Sequence, residues 1–214
     1  MIFTPVTPEQ AGVSSDSVLR YIRMLNEHGL FMHSILIARG EDLFCEAYYK
    51  PFTTQHQHRM YSTTKSYVGI AICELVSEGK LSFDTPIIDF FEDMLPEKVH
   101  PYLKAQTVRH MLEMQTCKTG GWYFEQEDRL RHYFRFPPTH YPGTGYDYDS
   151  NGSFVLGELV RRVSGKDFLS YLRERCLNEI GFSPDARCLM MPGGYTWADS
   201  ALLCTPLDIL RFGR

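Results

Sequence analysis

The sequence is short of several things, and each shortage narrows what the chain can be. It has no basic block: Lys and Arg total 22 against 26 Asp and Glu, a net charge of −4, so it carries no electrostatic footprint for nucleic acid. It has no long apolar run, and its longest, such as residues 68–73, falls far short of a bilayer span. The opening Met1-Ile2-Phe3-Thr4-Pro5 lacks a basic region followed by an apolar one, so no secretory signal is visible. The six cysteines, Cys45, Cys73, Cys117, Cys176, Cys188 and Cys204, include no Cys-x-x-Cys pair, which removes the usual zinc spacing. Several sit in apolar stretches, as free buried thiols do. Internal repeats and low-complexity segments are also missing. These absences lead us to expect a cytoplasmic protein with no cofactor, no metal, and neither nucleic acid nor membrane as a partner. Asn151-Gly152-Ser153 spells a glycosylation acceptor, which carries no meaning without export.

What remains is ordinary globular material. The chain has 214 residues, 43% hydrophobic and 22% charged, enough to bury a core without disulfides. Ser14 or Ser15 can cap a helix bearing Val18, Leu19, Ile22 and Leu25 at helical spacing, which Gly29 ends. Residues 34–38 and 43–49 read as two strands joined by the polar turn Arg39-Gly40-Glu41-Asp42, an antiparallel hairpin. From Ser62 to about Glu78 the pattern is helical, apolar on all sides over residues 67–73, and closed by Gly79. Shorter helical patterns cover residues 84–91, 107–114, 150–163 and 167–177. A hairpin followed by a mostly helical region predicts an α+β fold over a single domain, residues 1–214.

The strongest chemical signal is Ser62-Thr63-Thr64-Lys65. Residues three apart on a helix share a face, so the lysine amine can reach the serine hydroxyl. The positive end of a helix is a poor place for a cation and a good one for the neutral amine a base needs. A first-turn backbone N–H can also help hold an oxyanion. Ser-x-x-Lys is common enough to arise by chance, and Ser77-Glu78-Gly79-Lys80 is a second copy at the wet end of the same helix. Ser62 differs by opening a buried helix, although a plain helix cap would look the same.

Further on, Gly143-Thr144-Gly145-Tyr146-Asp147-Tyr148-Asp149-Ser150-Asn151 leads into Phe154-Val155-Leu156-Gly157-Glu158-Leu159-Val160 and Val163-Ser164-Gly165. Taken together, these segments resemble the serine β-lactamase/penicillin-binding-protein superfamily, particularly its class C-like branch. The resemblance also covers Glu9-Gln10-Ala11-Gly12-Val13-Ser14, Glu78-Gly79-Lys80-Leu81-Ser82-Phe83-Asp84, Thr107-Val108-Arg109-His110-Met111-Leu112 and Thr205-Pro206-Leu207-Asp208-Ile209-Leu210-Arg211-Phe212-Gly213, in order and spacing. It implies a β-lactamase/DD-peptidase-like fold and acyl transfer from a small or peptide-like amide or ester to Ser62. Lys65 and Tyr148 would handle the proton as a coupled pair. Which of them takes it first stays open, since the flanking Asp147 and Asp149 would oppose a phenolate at Tyr148 if their charges face it. Tyr148-Asp149-Ser150 departs from the branch's Tyr-x-Asn. Ser150 can still donate to a substrate carbonyl, and Asn151 is the alternative amide, one residue out of register.

Other motifs carry less. Lys118-Thr119-Gly120 spells the superfamily's third motif but precedes Tyr148, whereas the motif belongs on a strand well after it. Trp122, with Tyr123, is a candidate for the rim of a substrate pocket. His56-Gln57-His58 has no third ligand at metal-site spacing. Residues 125–129, Glu-Gln-Glu-Asp-Arg, read as a solvated helix face. After Tyr148 the sequence offers only helices and loops. Measured against the superfamily, the chain is therefore expected to be an N-terminal portion, short of closing strands and third motif. The competing expectation is a catalytically incomplete relative that acts as a binding module.

Overall fold

The computed structural model describes residues 3–118 and 128–214. In chain order its elements are β1 (Thr4–Pro5), α1 (Ser15–Glu27), β2 (Ser34–Arg39), β3 (Asp42–Tyr48), β4 (His58–Arg59), α2 (Thr64–Ser77), α3 (Pro101–Ala105), α4 (Val108–Leu112), α5 (Arg129–Arg135), α6 (Ser150–Ser164), α7 (Phe168–Leu172), β5 (Arg187–Cys188), β6 (Leu202–Cys204) and α8 (Pro206–Gly213). Short 3-10 turns lie at Tyr61–Thr63, Ile87–Phe90 and Glu92–Met94, and a π turn at Arg173–Leu177. Two compact units result: Met1–His58 with Cys176–Ala186 and Cys204–Arg214, and Arg59–Arg175 with Arg187–Leu203.

The first unit is built on the expected hairpin. β2 and β3 pair antiparallel from Ser34↔Tyr48 to Arg39↔Asp42, with a bulge between Ile37 and Ala38. β1 joins β3 in parallel, giving the order β1-β3-β2. Ser14 caps α1 by accepting from the Ser17 N–H, and Gly29 leaves the helix at φ 63°. α8 packs on β2. Its start is fixed by Asp208, a fully buried carboxylate that accepts from the N–H groups of Ser183 and Thr205 and from the Thr205 hydroxyl. Leu36 and Ala38 of β2 and Ile209 and Leu210 of α8 line a groove of about 470 Å³.

The second unit is helical around α2. Tyr67, Val68, Ala71, Ile72 and Leu75 are buried along one face of that helix, whereas Ile70 and Cys73 are exposed, so the helix that reads as apolar on all sides is not buried on all of them. Each large apolar side chain buried there contributes about 1.5–3 kcal/mol. α6 and α7 pack against α2, and α4 against α6. The approach to α6 is close: a Cβ on Gly157 would overlap the Cβ of Ala198, so only glycine fits there. Glu158, buried on α6, is matched by Arg161 and Arg162.

Several expectations need correction. A small sheet of order β4-β6-β5 is present, so the chain after Tyr148 is not all helix and loop. Its strands are two or three residues long, too short to show alternation in the sequence. The pattern over residues 84–91 forms only a 3-10 turn at Ile87–Phe90, and that over 167–177 breaks from α7 into a π turn. All six cysteines are free. Among the described residues, no helix is long and apolar enough to cross a membrane.

Candidate active site

Ser62 lies in the 3-10 turn Tyr61–Thr63, one turn ahead of α2, rather than as the cap of a regular helix. Two flanking ties hold this segment. The Met60 N–H donates to the Leu202 carbonyl at 2.8 Å, and the Leu202 N–H donates to the buried Thr64 hydroxyl at 3.2 Å. Between them Tyr61 takes φ 45°, the left-handed region that a bulky side chain rarely occupies. Such backbone costs of order 1–3 kcal/mol and persists only where its surroundings enforce it. The enforcement includes Arg59, whose guanidinium lies over the rings of Tyr61 (4.8 Å) and Trp197 (4.4 Å) and donates to the Ser200 carbonyl and hydroxyl. Ser62 itself is exposed.

Lys65, one helical turn on, brings its amine to this hydroxyl. Its Nζ donates to Ser62 Oγ at 3.1 Å and to the Asp199 backbone carbonyl at 2.8 Å. The same Nζ stands 5.2 Å from the centre of the Tyr148 ring, which is half exposed. The folded chain therefore brings Tyr148, distant in sequence, to the neighbouring Ser62 and Lys65.

Tyr148 is held by its neighbours on both sides. Asp149 caps α6: its carboxylate accepts from the Asn151 N–H at 2.8 Å and from the Thr116 hydroxyl at 3.2 Å. Burial pushes its carboxyl above the usual range, against these hydrogen bonds and the charge of Lys118. Asp149 thus points into the protein, not to solvent. The Asp147 N–H donates to the Met114 carbonyl, anchoring the other side of the tyrosine.

The other sequence candidates fare differently. Ser150 opens α6, half-buried, with its carbonyl accepting from Arg129. Asn151, the alternative amide, is 2% exposed and its Oδ1 accepts from Arg129 Nε at 2.9 Å. Its side chain is engaged inside the protein. Trp122 lies outside the described residues, as do Tyr123, Thr119 and Gly120. Lys118 is buried, its amine donating to the Tyr133 carbonyl, and burial pushes its pKa down to about 8. His58 pairs with His33 through their Nδ1 atoms at 3.3 Å, and no group of three or more metal-ligating side chains occurs among the described residues.

Two residues that sequence reasoning missed complete the surroundings. Arg129, read as part of a solvated face, is 2% exposed. Its Nη1 donates to Asp199 Oδ1 at 2.8 Å, an ion pair with both side chains buried. The residue type at 129 misled because acidic neighbours suggested water. Asp199 did leave a signal: it is the only charge between Arg187 and Asp208, a stretch of small and apolar residues.

Comparison with known proteins adds to this geometry. The family model described as Beta-lactamase matches residues 20–183. The chain is 23% identical to the 6-aminohexanoate-dimer hydrolase of Paenarthrobacter ureafaciens over 233 aligned residues, 98% of this chain and 58% of that protein. It is 25% identical to esterase EstB of Burkholderia gladioli, covering 68% of this chain and 41% of the esterase. The octameric penicillin-binding protein homologue from Pyrococcus abyssi superposes with a TM-score of 0.70 at 20% identity, over 93% of this chain and 55% of that one. D-amino acid amidase from Ochrobactrum anthropi SV3 superposes with a TM-score of 0.64 at 20% identity, over 83% and 64%. The chain spans about half the length of the curated relatives it matches.

Proposed function

From the premise that this chain belongs to the Beta-lactamase family of serine hydrolases and has the α+β β-lactamase/DD-peptidase fold, we propose that it hydrolyses an amide or ester through an acyl-enzyme on Ser62. The observation that carries the reading is the 3.1 Å contact between Lys65 Nζ and Ser62 Oγ, with Tyr148 against the same amine. Relatives named for amide and ester hydrolysis support the substrate class.

Ser62 Oγ forms a bond to the carbonyl carbon while its proton passes to the Lys65–Tyr148 pair and the carbonyl electrons move onto oxygen. With a neutral amine, the 3.1 Å contact runs from hydroxyl to nitrogen. The tetrahedral adduct collapses, the bond to the amine or alcohol breaks, and the leaving group takes the proton back from the pair. Water then adds to the acyl ester, giving up a proton to the same pair, and collapse returns that proton to Ser62 Oγ and frees the acid. Lys65 and Tyr148 act as one coupled proton reservoir. Ser150, two residues past Tyr148, supplies a hydroxyl to the substrate carbonyl.

Intact mass measurement after incubation with a fluorophosphonate probe tests this. One adduct, mapped to Ser62 and absent from Ser62→Ala, is expected. A folded chain that takes no adduct while a control serine hydrolase labels would sink the reading.

A further inference from the structure

Lys65 has two acceptors, and only one of them is the proposed nucleophile. The other is the backbone carbonyl of Asp199, at 2.8 Å. That residue is fully buried, and its carboxylate meets Arg129 at 2.8 Å. Arg129 distributes its remaining donors over the opposite side of the site: Nε to Asn151 Oδ1 at 2.9 Å and Nη2 to the Ser150 carbonyl at 3.2 Å. The guanidinium plane rests on the face of Phe154 at 4.4 Å. One planar cation therefore joins the segment that holds Lys65 to the first turn of α6, which comes directly after Tyr148. Guanidinium suits this task because its donors form a rigid fork, so fixing one partner fixes the direction of the others.

A buried ion pair is weak evidence for stability, since apolar side chains of similar volume often do as well. Asp199 Oδ2 moreover has no hydrogen-bond partner among the described residues, so the pair is not arranged for greatest stabilisation. It does set the relative placement of three segments: Ser62 to Lys65, the Asp199 loop, and Tyr148 to Asn151. We propose that Arg129 and Asp199 are a positioning pair that aims the Lys65 amine between Ser62 and Tyr148. The inference rests on the hydrolase reading for its purpose, but not for its geometry.

The test therefore reads Lys65 directly as well as through Ser62. Arg129→Lys and Asp199→Asn are prepared in the full chain beside the unaltered protein. Reductive methylation is followed by mass spectrometry at Lys65, relative to exposed Lys104 in the same sample, with buried Lys118 reporting whether the fold persists. In parallel, labelling of Ser62 by a fluorophosphonate is resolved into reversible binding and a bond-forming rate. The expected result in either folded variant is a severalfold rise in Lys65 methylation with Lys118 still protected. The bond-forming rate falls about 10- to 100-fold, as misplacement on the order of an ångström produces, while reversible binding is unchanged. Lys65 methylation that stays at the parental level in folded variants overturns the proposal. So does loss of Lys118 protection in both variants, because the pair would then hold the fold and nothing finer. If the unaltered chain fails to label at Ser62 while Lys65 methylation still responds, the hydrolase reading falls and the aim of Lys65 by this pair stands.

Discussion

Two copies of the same spacing sit at the two ends of α2, and they could hardly be less alike. Ser62 and Lys65 straddle its start, where a strained turn tied to β6 presents the hydroxyl and the amine is held by two acceptors at 3.1 and 2.8 Å. Ser77 is the last residue of the helix, and Lys80 lies beyond Gly79, whose φ of 70° turns the chain away. Lys80 pairs with Glu78 at 2.8 Å, its side chain 47% exposed to water. A serine and a lysine three residues apart are common to both, yet only at the N-terminal copy do buried neighbours fix where the two side chains meet. Spacing makes such a contact possible, and the surrounding fold holds it in place.

That comparison can be broken by mutation. The largest effect is expected at the serines: Ser62→Ala should lower the rate of fluorophosphonate labelling by about 10⁴-fold or more, and Ser77→Ala should leave it unchanged. Equal loss in both would erase the distinction. Among the lysines, Lys65→Met should lower the same rate by about 10²–10⁴-fold, the usual share of a proton-transferring group. Lys80→Met should shift neither labelling nor stability by more than about 0.5 kcal/mol, since exposed ion pairs are worth little. Thermal melts and labelling kinetics on the same samples decide both.

The packing that gives the first copy its surroundings can be probed at Gly157. Adding one methyl there collides with Ala198, next to the residue whose carbonyl holds Lys65. Gly157→Ala is expected to cost about 1–3 kcal/mol of stability by overpacking, read in urea unfolding. An unchanged midpoint would mean that α6 and the Ala198 segment separate freely.

A third lysine sharpens the contrast in a way that depends on pH. Burial lowers Lys118 to about 8 from an ordinary 10.5, so between those values the unfolded chain holds a proton that the folded chain has released. Stability therefore rises with pH across that window, and at neutral pH the folded state bears the full cost of the buried charge, at most about 3 kcal/mol. Lys118→Met should be more stable than the parent at pH 7, and its advantage should shrink as pH climbs from 8 towards 10.5. An advantage independent of pH would show that folded Lys118 keeps its proton across that window, as the unfolded chain does.

Where structure depends on neighbouring residues, the sequence was informative. The cap at Ser14 and the hairpin turn at Gly40 rest on contacts within a few residues, and both were legible. The meeting of Ser62, Lys65 and Tyr148 in space was legible through their motifs. The small sheet was not, because strands as short as β4, β5 and β6 show no periodicity. Nor was Arg129: among Glu125, Glu127 and Asp128 a cation reads as surface charge, and its partners inside the protein, Asp199 among them, lie twenty or more residues on. Asn151 likewise suggested a ligand amide, because nothing local reveals that an arginine already occupies it.

The φ of 45° at Tyr61 makes that residue a place where the chain can be made more durable. Glycine there would adopt the same backbone at no steric cost. The tyrosine in its place keeps a stiffer backbone immediately before Ser62. Stabilising the chain by consensus or design would turn to residue 61 early, and it is the position where added robustness and a well-presented hydroxyl pull in opposite directions.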